Sequence, residues 1–147
     1  VRRAIKAPDK VAGGGAIDML LSCMLRKQAK TIPGKEQVFM KAFADALEII
    51  PRQLSSNAGF DITKGMNKLR AAHTVAQSAP GKEPCWFGVD IVSDSDVCYT
   101  MNSHVLEPVL IKLKAIKSAT EAACMILCVD VTISDPQEYE QQLREGR

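Results

Sequence analysis

The stretch "KVAGGGAIDMLLSCML", Lys10–Leu25, sets three consecutive glycines, Gly13, Gly14 and Gly15, directly against an apolar pattern of helical period. Ile17, Leu20, Leu21 and Met24 recur at i, i+3, i+4 and i+7, which predicts a helix burying that face, with Asp18, Ser22, Arg26 and Lys30 on its other faces. Glycine loses more backbone entropy on ordering than any other residue, so three at a helix entrance are costly unless the site needs unusual dihedrals or backbone unobstructed by Cβ atoms. Two readings fit: a hinge, or a surface that a ligand approaches closely.

Upstream, "VRRAIKA" reads as the last turns of a helix ending before Pro8. Downstream, "TIPGK" breaks the first helix, and Phe39, Ala42, Phe43, Ala46, Leu47, Ile50 and Leu54 mark the apolar face of a longer one that Pro51 should kink or divide. In "SNAGFD", Gly59 is a helix C-terminal cap and Asp61 the N-cap of a third helix, which carries Ile62, Met66, Leu69 and His73 on one face. A lone histidine there reads as a core or boundary side chain. "AQSAPGKEPCW" is a loop, "WFGVDIV" a short strand and "SDSDVCYTMNS" an irregular polar connection. The last long helix begins at Pro108, with Leu110, Leu113, Ala123 and Leu127 among its buried candidates; "VDVTI" then alternates like a strand in need of a partner edge. "SDPQEYEQQLREGR" is a polar tail. The fold class is mainly α, with two or three short strands.

The 147 residues suit one core, and no apolar run reaches the roughly 20 residues that cross a bilayer. The N-terminus is too polar for a signal peptide, so the expected compartment is the cytoplasm, with no membrane contact. Five cysteines with no CxxC pair argue for reduced core thiols; Cys124 and Cys128 share a helix face but make only half of a zinc site, and no metal site is expected. Net charge is +2, yet residues 1–70 hold 13 basic and 6 acidic side chains, whereas 71–147 hold 6 and 11. The basic residues are spread over several helices without interleaved aromatics, which reads as solvated faces or contacts between subunits, not a nucleic-acid surface.

No Ser-His-Asp, Cys-His or HExxH arrangement is present, and no catalytic residue is assigned. The repeated "PGKE" lacks the glycine and the hydroxyl that a Walker A loop requires. Three separated features suit a nucleotide: backbone exposed at "AGGGA", the strand-turn "GVDI", and "LEP" at a helix entrance. Because Glu107 precedes Pro108, its backbone is held out of the α region. Its carboxylate either accepts two hydrogen bonds from vicinal hydroxyls, as ribose offers, or merely complements the helix dipole.

"VRRAIK…VAGGGAIDM", "TIPGK", "ALEIIPRQLSSNAGFD", "NKLRA", "WFGVDI", "LEP" and "ATEAACMILCVDVTI" follow one another in the order found in the C-terminal part of the group II chaperonins, and the chain resembles that family over residues 1 to about 136. "VRRAIK", "TIPGK" and "LEIIPRQL" together look like one subunit type of the eukaryotic cytosolic complex. The resemblance implies a fragment: residues 1–15 as the end of an intermediate domain and hinge, 16–136 as the C-terminal half of an equatorial, nucleotide-binding domain, and 137–147 as a tail. It implies nucleotide contacts at Gly13, Gly14 and Gly15, at Asp90 and Ile91 beside the adenine, and at Glu107 on the ribose. It also implies ATP or ADP with Mg²⁺ as cofactor in the parent subunit and tight binding of none by this chain alone. Partners would be other subunits of a hetero-oligomeric double ring and unfolded client proteins. The family's "GDGTT" phosphate segment and its catalytic aspartate do not occur in this sequence, so the chain alone is expected not to hydrolyse ATP. The rival reading is a helical protein-interaction module without a nucleotide role.

Overall fold

The computed structural model describes residues 5–78, 85–92 and 96–131. In chain order the elements are β1 (Lys10–Ala12), α1 (Ala16–Ala29), α2 (Glu36–Leu47), α3 (Ile49–Asn57), α4 (Ile62–Ser78), β2 (Phe87–Val89), β3 (Val97–Tyr99), β4 (Leu106–Pro108) and α5 (Val109–Leu127). The chain divides into two compact units, Val1–Leu110 and Ile111–Arg147. The mainly α class with short strands holds.

In the first unit, local punctuation behaves as the sequence predicts. Pro51 sits in the first turn of α3, where its missing N–H would have had no intrahelical partner, and the long apolar segment is divided at Glu48 rather than bent. Gly59 closes α3 at φ +76°, with the Phe60 amide donating to the Ser55 carbonyl. Asp61 caps α4 by accepting from the Lys64 amide at 3.1 Å. Met66 and Leu69 from α4 join Met19 of α1 and Val89 of β2 in the core, flanked by Leu54, Phe60, Ile62, Phe87 and Val97.

The buried faces of α1, α2 and α3 differ from the expected ones. In α1 the buried residues are Ala16, Asp18, Met19, Ser22 and Ala29, while Ile17, Leu20 and Leu21 are half-buried and Met24 is exposed. Burial along α1 follows the small side chains Ala16, Ser22 and Ala29 rather than the bulkiest stripe. Asp18 and Ser22, expected on outer faces, are therefore inside; Ser22 donates to Glu48, and Asp18 is likewise partnered. In α2 and α3 the buried side chains are Ala44, Leu47, Pro51 and Ser55, whereas Phe39 is 73% exposed and Phe43 and Ile50 are also open. Periodicity finds an apolar stripe but not which stripe a neighbour covers.

Three short strands depart from the sequence reading. β3 lies in the segment expected to be irregular, and pairs antiparallel with β2: Phe87 opposite Tyr99, Gly88 opposite Cys98, Val89 opposite Val97. The Phe87 and Tyr99 rings meet edge to face at 5.4 Å, which helps fix that register. β1 and β4 pair as Lys10–Pro108, Val11–Glu107 and Ala12–Leu106, joining ends of the unit nearly a hundred residues apart. Pro108 thus ends a strand and α5 starts at Val109, whose amide donates to the Asp9 carbonyl at 3.1 Å.

In the second unit, α5 has no buried residue: Leu113 and Leu127, expected inside, are 61% and 83% exposed, and Ala123 is exposed as well. The expected strand "VDVTI" shows no regular structure at 129–131, and its remainder, like the "SAPGKEP" loop and the polar tail, lies outside the described residues.

Candidate functional site: a glycine turn between two strand pairs

Backbone hydrogen bonds hold the glycine turn on two sides. The Gly13 amide donates to the Val105 carbonyl at 2.8 Å, and the Gly14 carbonyl accepts from the Val89 amide at 2.9 Å. Gly14 and Gly15 adopt φ +65° and +75°, a region that side-chain-bearing residues enter at a cost. Space demands glycine as much as dihedral does. A Cβ on Gly15 would stand 2.8 Å from Pro51 Cβ, and one on Gly13 would stand 3.1 Å from Glu107 Oε1. The amides of Gly14 and Gly15 make no hydrogen bond among the described residues, as suits the leading donors of a helix.

The turn rests against a second glycine. A Cβ on Gly88 would lie 2.8 Å from the Gly14 carbonyl oxygen and 2.8 Å from Thr100 Cγ2. Buried Thr100 fastens this layer: its hydroxyl and amide both donate to the Trp86 carbonyl, at 2.9 and 3.0 Å, and its own carbonyl accepts from Val105 at 3.1 Å. Gly88 went unread in the sequence; the signal that could have found it is a glycine inside a strand, which marks close backbone approach. Thr100 and Val105 carried no such sign, being ordinary residues in a stretch without periodicity.

Of the sequence-expected site residues, the structure gathers Gly13, Gly14, Gly15 and Glu107, with Asp90 adjoining. Glu107 is central in β4, opposite Val11, and brings its carboxylate to the Gly13 face. Asp90 directly follows the residue bonded to Gly14; its amide donates to the Asp96 carbonyl and its Oδ1 accepts from the Val92 amide at 2.9 Å. Ile91 is 62% exposed in that turn and joins the group only through its chain neighbour.

Behind the turn, one buried carboxylate fixes α1. Glu48, 1% exposed, accepts at Oε1 from Ser22 (3.0 Å) and Arg26 (3.0 Å) and at Oε2 from Arg70. Burial alone would raise its pKa; the hydrogen bonds from Arg70 and Ser22 and the charges of Arg70 and Arg26 outweigh that and hold it below the usual value. Because Pro51 is three residues on, this junction also seats the proline ring against Gly15. His73, the boundary histidine, lies fully buried with Nε2 on the Phe87 carbonyl at 2.8 Å; burial lowers its pKa, and that bond only partly opposes the shift.

Comparison with known proteins bears on the family and the fold. The profile of the TCP-1/cpn60 chaperonin family matches residues 1–137. T-complex protein 1 subunit eta of Homo sapiens is 51% identical over 137 residues, which are 93% of this chain and 24% of that protein. The Gallus gallus counterpart is 51% identical over 147 residues, 100% of this chain and 25% of that protein, and the Saccharomyces cerevisiae counterpart is 45% identical over 135 residues, 92% and 23%. The chain thus spans about a quarter of the length of these relatives. Among solved structures, the open-state monomer of a group II chaperonin from Methanococcoides burtonii superposes with a TM-score of 0.72 at 36% identity, covering 82% of this chain and 28% of that one. The ordered motifs, the mainly helical fold and these similarities agree: the chain belongs to the TCP-1/cpn60 chaperonin family.

Proposed function

We propose that this chain supplies one wall of the nucleotide site, and the hinge beside it, in an ATP-driven protein-folding chaperonin subunit. The observation that carries the reading is the convergence of three segments remote in sequence: Gly13 against the Glu107 carboxylate, and Gly14 bonded to Val89 next to Asp90. Glu107 would accept from the vicinal hydroxyls of ribose, Gly13–Gly15 would face the ligand with backbone alone, and Asp90 and Ile91 would border the base. ATP or ADP with Mg²⁺, when bound, supplies the phosphoanhydride and its counter-ion. The residues present fit the sugar and base side of such a ligand, so this chain by itself is proposed to bind it weakly and not to hydrolyse it.

In this reading residues 1–15 close an intermediate domain and hinge, 16–136 form the C-terminal half of the equatorial domain, and 137–147 form a tail. The partners are further subunits of a hetero-oligomeric double ring and unfolded client proteins in the cytoplasm. Nucleotide titration of the full-length parent subunit in its ring, with and without Glu107→Ala, is the test. Losing a charged acceptor is worth roughly 1.5–3 kcal/mol, so affinity should fall at least about tenfold. Unchanged affinity would favour an interaction module in which Glu107 only complements the helix.

A further inference from the structure

A cavity of about 460 Å³ lies between α1, α2 and α4, toward the far end of α1 from the glycine turn. Cys23 lines it, eight residues beyond Gly15 and hence roughly 12 Å along the α1 axis from it at about 1.5 Å per residue. Arg26, Lys27 and Lys30 line it from the α1 side, Lys41 from α2 and Gln77 from α4. We propose that this cavity is an anion site for a small ligand carrying several phosphate-type oxyanions, separate from the nucleotide wall.

Charge is the first argument. No acidic side chain is among the described lining residues, and only Arg26 is neutralised, by Asp45 and Glu48. Lys27, Lys30 and Lys41 pair with no carboxylate among the described residues. A helix C-terminus explains cations in the last turn of α1, but not Lys41 in the middle of α2. The second argument is a buried donor. Gln77 Nε2 is shielded from solvent and has no acceptor among the described residues, and such groups in native proteins find a partner. Lys27, Lys30 and Lys41 line one chamber, so an anion held there has three ammonium groups within side-chain reach, and a rotation of the Gln77 side chain would offer it the amide as well. The third argument is scale. The volume falls in the range of about 300–1,000 Å³ typical of small-molecule sites. Basic residues at the end of α1 and in α2 line the same chamber, which suits a compact polyphosphate better than an acidic peptide. Lysine serves phosphate as a flexible point charge.

Inorganic triphosphate is the probe, titrated at low ionic strength into the 147-residue chain by calorimetry. Alkylation of Cys23 by iodoacetamide, followed by mass spectrometry, reports the location, with exposed Cys124 and Cys128 as internal controls. With three positive charges removed, Lys27→Gln/Lys30→Gln/Lys41→Gln should weaken binding at least about tenfold. The equally charged control Lys35→Gln/Lys64→Gln/Lys114→Gln should change it less than about twofold. Gln77→Leu, which alters no charge, should weaken it several-fold, and saturating triphosphate should slow alkylation at Cys23 only. Equal losses in the two triple variants would overturn the proposal, as would unaltered Cys23 reactivity at saturation or no detectable binding. Tighter binding of a hexaglutamate peptide, with the same dependence on the three lysines, would overturn it in favour of a protein partner.

Discussion

Helix α1 is held at two places by opposite means. At its N-terminus the glycine turn is fastened by main-chain hydrogen bonds to Val89 and Val105, and side chains are excluded because Pro51, Glu107 and Thr100 occupy the space. One to three turns on, Ser22 and Arg26 are fastened by side chains alone, through the buried carboxylate of Glu48 and Arg70 beyond it. A main-chain anchor tolerates no added volume but is indifferent to pH and salt. A charged anchor tolerates volume changes nearby but depends on proton and ion concentration. The two together fix the position of α1 and of the turn Gly13–Gly15 that precedes it.

The largest break in that contrast is expected from Gly15→Ala. It forces a side-chain-bearing residue to φ +75° and places its Cβ 2.8 Å from Pro51, so left-handed strain and overpacking together should cost about 3 kcal/mol in urea unfolding of the chain. Gly59→Ala sharpens the attribution: φ is nearly the same, +76°, but nothing lies within 4 Å, so only about 1–2 kcal/mol should be lost. Equal losses at the two sites would mean that the Pro51 contact is immaterial.

At the charged anchor, Glu48→Ala leaves Arg26 and Arg70 facing a buried void. Breaking a buried pair costs about 3–5 kcal/mol, and since both arginines keep access to water the expected loss is about 2–3 kcal/mol. Asp45→Asn, at the exposed rim of the same cluster, should cost under about 1 kcal/mol and nothing measurable in high salt.

The smallest and most diagnostic effect is on pH dependence. The folded His73 has a lowered pKa, so the unfolded chain binds more protons as pH falls through about 6.5, and stability begins to drop there. The folded Glu48 carboxyl is also lowered, so the contribution of its ion pairs is complete above its ordinary 4.5 and is lost as pH falls through the lower folded value. Unfolding curves from pH 8 to 3 should show both declines, with His73→Phe removing the first and Glu48→Gln the second. Hydrogen bonds between main-chain groups at the glycine turn do not titrate in this range. A pH profile unchanged by both variants would refute the division between the two anchors.

What the sequence made legible follows the same division. Gly59, Asp61, Pro51 and the α4 face of Met66, Leu69 and His73 were readable because each acts through its own turn of chain or through a single helical period. The candidate site was legible in pieces, as glycines, a strand-turn and a carboxylate before proline. The order of motifs, not their chemistry, tied those pieces to one family. Thr100, Gly88 and the β1–β4 pairing that brings Glu107 to Gly13 were not legible as a unit, since nothing local marks which remote backbone will approach.

By itself, then, the amino-acid sequence determined where helices start and stop, which segments are glycine-opened, and the family. Tertiary structure decided which side of α1 and α2 is inside, that Ser22 and Glu48 rather than the bulkiest apolar residues join those helices, and that Glu107 meets Gly13 while Val89 bonds to Gly14. The physical reason is range: caps, turns and proline act over a few residues of backbone. Burial, a carboxylate's three partners and the missing volume of a glycine are set by atoms tens of residues away.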